Sequence, residues 1–81
     1  PAKKSADDKA REWVARAVAT LKLPGQHVES LDRWWQLNDT VPPGAKFSPI
    51  GWLEEAVPKE HERLVKAFTE VRDNAKNMGA A

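Results

Sequence analysis

Leu31-Asp32-Arg33-Trp34-Trp35-Gln36-Leu37 is the run on which the fold turns. On a helix, Val28, Leu31 and Trp35 share one face. Trp34 lies about 100° away from Trp35, with Leu37 further round beside it. The segment from about Gln26 to Asn38 therefore reads as a helix with two apolar stripes, where a simple surface helix carries one. Such a helix is either wedged between neighbours or keeps one side for a partner.

Outward from this run the chain is helical on both sides. Upstream, Ser5 reads as an N-cap, and Asp7 and Asp8 set negative charge in the first turn, where the helix dipole favours it. Ala10, Trp13, Val14, Ala17, Val18 and Leu21 then follow at steps of three and four, spanning an arc of about 140°. Asp7 with Arg11 and Glu12 with Arg16 are spaced for i,i+4 pairs on the wet side. Pro24-Gly25 ends this helix, expected over about residues 5–23.

Downstream, Asp39 to Phe47 is a loop. Val41 before Pro42 is pushed towards extended geometry, and Pro43-Gly44 suits a type II turn. Phe47 is expected to anchor the loop's end, and Val41, Pro42 and Phe47 are suited to folding back over Trp34. Ser48-Pro49 reads as an N-cap followed by proline at the first helical position, opening a short helix to about Ala56. That helix buries Ile50 and Leu53, keeps Trp52 at its edge and is weakened by Gly51.

Val57-Pro58 starts the last helix, expected over about 58–78. Leu64, Val65, Phe68, Val71, Ala75 and Met78 again cover an arc of about 140°, and Glu62 with Lys66 is a supporting pair. Gly79 is a natural stop. No hairpin turn separates alternating apolar runs, so no strand is expected.

The expected fold is all-α. Two long amphipathic helices bracket a shorter helical middle with a Pro/Gly-rich loop, in a single domain over 5–79 after a basic flexible tail at 1–4. The expected core is Trp13, Val14, Val18, Leu21, Leu31, Trp35, Leu53, Leu64, Val65, Phe68 and Val71.

Composition narrows the function more than any motif does. The 81 residues include no cysteine, so a disulfide framework and a thiolate metal site are excluded. No apolar run reaches the roughly 20 residues that span a bilayer, and Pro1-Ala2-Lys3-Lys4 does not lead into the apolar segment of a signal peptide. A soluble, cytoplasmic protein is expected.

The 13 Lys+Arg balance 12 Asp+Glu, whereas nucleic-acid modules usually carry a one-signed stripe. His27 and His61, even with Asp32 or Glu60, lack the spacing of a metal-ligand pair such as HExxH. Ser5, Ser30 and Ser48 read as cap or surface residues, and adjacent acids such as Glu54-Glu55 read as a solvated face. The glycines match no phosphate loop. No catalytic residue, cofactor or metal is assigned, and a stand-alone enzyme is not expected.

What remains is the second stripe of the middle helix. Tryptophan and arginine are the residues most enriched at binding hot spots. The candidate partner-binding residues are thus Arg33, Trp34, Leu37 and Trp52, with Pro42 and Pro43 shaping the rim. The expected partner is another protein, or a second copy of this chain. A small nucleic-acid-binding protein is the alternative, and the non-catalytic small subunit of a larger enzyme the next.

Overall fold

A computed structural model describes residues 4–79 of the chain. Four helices follow one another: α1 (Ala6–Leu21), α2 (Val28–Asn38), α3 (Pro49–Ala56) and α4 (Pro58–Gly79). No strand occurs among the described residues. The all-α architecture is the one the periodicity predicts, with α1 and α4 packed on each other and both inner helices resting on α4. Of the tail expected at 1–4, residues 1–3 lie outside the described residues.

The helix starts are set by side chains. Ser5 is extended, and its Oγ accepts from the Asp8 N–H at 3.2 Å, satisfying one of the free donors of the first turn. Ser48 does the same for α3, accepting from Gly51 N–H at 2.9 Å, with Pro49 behind it.

Helix α2 begins at Val28, two residues after the expected start at about Gln26. His27 is the cap: its Nδ1 accepts from Ser30 N–H at 3.4 Å, and Ser30 Oγ accepts from His27 N–H at 3.0 Å. This is a reciprocal capping box built from residue types outside its usual Ser/Thr and Glu/Gln pattern, which is why the sequence hides it. Helix α1 stops at Leu21, short of residue 23. The Thr20 carbonyl there accepts from Leu23 N–H and from the Gln26 side-chain amide at 3.0 Å, and Gly25 turns the chain at φ 88°. In the long loop, Ala45 N–H donates to Pro42 O at 3.1 Å across Pro43-Gly44, with Gly44 at φ 81°. That is the geometry a Pro-Gly type II turn requires.

The sealed core consists of Ala10, Val14, Ala17 and Leu21 of α1, Leu31 of α2, Ile50 and Leu53 of α3, Val57 at the α3–α4 junction, and Leu64 of α4. Burial follows position within each arc. The middle of the α1 arc is buried, while Trp13 and Val18 at its two ends are half-buried. On α4 the ends of the arc are Val65 and Met78, 37% and 79% exposed, so Val65 is no core residue. Trp35, Phe68 and Val71 flank the core half-buried.

The loop does not close over Trp34. Val41 is 51% exposed and Phe47 38%, with the Lys46 ammonium 5.7 Å from the Phe47 ring centre. The residue that anchors the loop's end is Ser48, buried by its cap role, rather than Phe47.

The surface ion pairs also differ from the helical spacing. Arg11 meets Asp8 at 3.5 Å rather than Asp7. Lys4 reaches forward to both Glu12 oxygens at 2.8 Å, displacing the expected Glu12–Arg16 pair. Glu62 and Lys66 form no ion pair among the described residues, and the first-turn pair on α4 is Arg63 with the buried Glu60 at 3.1 Å. The long-range tie is one no local pattern announces: Arg72 of α4 grips Asp32 of α2 through two hydrogen bonds, at 2.8 and 3.1 Å.

Candidate functional site

The tryptophans assemble from three helices. Trp34 of α2 rests on Trp13 of α1, ring centres 6.2 Å apart and planes tilted by 35°. Trp34 also meets Trp35 at 6.3 Å, and Trp35 continues to Phe68 of α4 at 4.6 Å. These separations lie in the range where tilted aromatic pairs attract, roughly 4.5–7 Å. The result is a continuous aromatic ladder, Trp13–Trp34–Trp35–Phe68, that binds α1, α2 and α4 together. Indoles are too large to seal completely between helices this short, so both members of the Trp pair remain half-buried.

Two shallow depressions open on either side of Trp13. One, of about 220 Å³, lies towards α2 and is lined by Trp13, Arg16, Thr20, Trp34 and Asn38 together with the buried Ala17. The other, of about 250 Å³, lies towards α3 between Lys9, Trp13, Arg16, Pro49 and Trp52. Trp13 and Arg16 line both, so the two form one surface with Trp34 at one end and Trp52 at the other. No carboxylate lines either depression.

The residues singled out in the sequence fall into three groups. Trp34 and Trp52 reach this surface, bridged by Trp13 rather than by the loop. Leu37 is 69% exposed and Arg33 is exposed; neither lines a depression there. Pro42 and Pro43 are exposed in the loop and do not form the rim of either depression. Missing from the sequence reading are Trp13, assigned there to the core, and the cations Lys9 and Arg16. A signal for Trp13 was present, because it stands at the extreme edge of the α1 arc. For Arg16 there was none, because helical spacing hands it to Glu12.

The titratable groups considered for a metal are otherwise engaged. His27 caps α2, Glu60 holds Arg63, and His61 approaches Glu54 at 3.9 Å. Asp32 is held by Arg72. The hydrogen bonds from that guanidinium lower the Asp32 pKa below its ordinary 3.8; partial desolvation opposes this, and the Arg72 charge adds to it. Arg72 is raised in turn, first by the hydrogen bond and then by the Asp32 charge. Among the described residues no three His, Cys, Asp or Glu side chains gather where they could hold a metal ion. No helix among them is long and apolar enough to cross a membrane.

Comparison with models of known protein families, with curated proteins and with solved structures gives no match to this chain.

Proposed function

We propose that this chain is a non-catalytic protein-interaction module of the cytoplasm, working as an adaptor, accessory subunit or inhibitor. It engages a protein partner through the Trp13–Trp34–Trp52 surface. The observation that supports this reading is the pairing of the two depressions around Trp13. Three half-buried indoles from three helices border one face, with a mainly apolar depression beside Trp52 and a polar-rimmed one beside Trp34. Aromatic groups ringed by polar ones are the anatomy of an interface hot spot. Leu37, Arg33 and the Pro42–Pro43 turn are then outer contacts of a large partner.

The test is a selection of peptides from a random displayed library against the full chain, followed by NMR of the four indole N–H signals. Binders that move Trp13, Trp34 and Trp52 more than Trp35, whose ring is wedged on Phe68, are the expected result. Absence of binders, or shifts centred elsewhere, ends the reading. Molar mass by light scattering over a dilution series decides the occupant: a dimer that dissociates on dilution, with the same indoles affected, makes a second copy the partner.

A further inference from the structure

The depressions carry a charge pattern as well as an apolar one. Lys9 and Arg16 sit seven residues apart on α1, about 10.5 Å along its axis, and flank Trp13 on its solvent side. Glu12 is the one carboxylate within helical reach of both, at i+3 from Lys9 and i−4 from Arg16. Lys4 holds both of its oxygens at 2.8 Å. The next acid along α1, Asp8, faces Arg11 at 3.5 Å. Among the described residues neither Lys9 nor Arg16 forms an ion pair. The chain thus pairs Glu12 and Asp8 with other cations and leaves two positive charges beside three indoles.

Resting on the interaction reading above, we infer that this surface takes an acidic segment of a partner protein bearing aromatic or leucine side chains. An apolar group fills the depression between Trp13 and Trp52, a polar group meets Thr20 and Asn38 beside Trp34, and its carboxylates meet Lys9 and Arg16. Complementary charge of this kind sets orientation and rejects basic competitors more than it adds raw affinity. A guanidinium at an indole rim also has the planar fork that grips carboxylates. A single-stranded nucleic acid would find stacking partners in the same indoles. Its backbone, however, needs a track of cations, and here two cations line the depressions on a chain of net charge +1.

The deciding experiment uses the full chain with three probes: peptides from the displayed random library, those peptides with Asp and Glu replaced by Lys, and a fifteen-residue oligothymidine. Binding is read by fluorescence anisotropy at low and high salt, with the indole signals as the map. The expected result is enrichment of Asp and Glu beside Trp, Phe or Leu among the selected peptides. Lys9→Glu with Arg16→Glu should weaken them at least tenfold, and the Lys-substituted versions should not bind. Lys9→Gln with Arg16→Gln gives the same direction with less change in surface charge. It stands in if the reversal disturbs the helix content. Neutral or basic peptides that move Trp13, Trp34 and Trp52 and ignore both double variants overturn the acidic-partner inference and leave the interaction module standing. Oligothymidine binding more tightly than any peptide at those indoles overturns both, as does the absence of any binder.

Discussion

Helices α2 and α3 both rest on α4 but are fastened by different means. The eight-residue α3 seals Ile50 and Leu53 completely and starts on a buried serine. The eleven-residue α2 seals only Leu31 and relies otherwise on two half-buried indoles and a half-exposed ion pair. Aliphatic side chains disappear between helices, whereas indoles span the gap and keep an edge outside. Helix α3 is thus held by its sealed aliphatics with Trp52 at its edge, whereas on α2 one indole, Trp34, both holds the helix in place and lines the candidate surface.

Breaking the anchored side should give the largest effect. Leu53→Ala removes a fully buried side chain from α3 and should cost about 2–5 kcal/mol in urea unfolding. A loss under about 1 kcal/mol would mean that the core closes without α3.

On the α2 side, Trp34→Ala removes one rung of the ladder while its outer edge was already in water. About 2 kcal/mol is expected, below the roughly 3–5 kcal/mol of a sealed aromatic. The same variant should lose partner binding, so its binding must be measured where circular dichroism shows it folded. Equal stability losses for Leu53→Ala and Trp34→Ala would erase the contrast between the two helices.

The α3 start sharpens the comparison further. Ser48→Ala should cost about 1 kcal/mol by freeing the Gly51 donor. Helix propensity alone says that Gly51→Ala should stabilise by up to about 1 kcal/mol. A Cβ there would stand 2.8 Å from Ser48 Oγ, so the cap must shift and the substitution should destabilise instead. In a Ser48→Ala background the sign should reverse. Four unfolding midpoints complete that cycle, and an additive result would show that cap and Cβ do not meet.

The smallest effect belongs to the ion pair that ties α2 to α4. Asp32 has a lowered folded pKa, so its contribution is complete above its unfolded value near 3.9. It is lost as pH falls through the lower folded value. Asp32→Asn should lower the melting temperature slightly near neutrality, and the gap to wild type should close in acid below about pH 4. A gap that persists unchanged in acid would mean the charge is not what Arg72 reads.

Much of the fold was legible because local rules set it. Ser5, Ser48, Pro49 and the Pro43–Gly44 turn each act on backbone groups within a few residues, and the 3.6-residue period selects the buried faces of α1 and α4. The box formed by His27 and Ser30 is equally local but uses uncommon residue types, so the start of α2 was missed by two residues. The candidate surface was only half legible. The double stripe of α2 marks Trp34, but which side chain lies against it depends on how α1 is set beside α2. No single-helix pattern carries that information.

By itself, then, the sequence determined four helices, the serine caps of α1 and α3, the inward faces of the helices and the presence of more indole than a small core can bury. Tertiary structure decided what those indoles do. It laid Trp13 on Trp34 across two helices, left the loop of Val41 and Phe47 off them, joined Asp32 to Arg72 forty positions away, and gave Glu12 to Lys4 so that Arg16 forms no ion pair among the described residues. The reason is range. Capping and periodicity act within one or two turns, whereas an interhelical contact depends on where two rigid elements come to lie, which is a property of the packed whole.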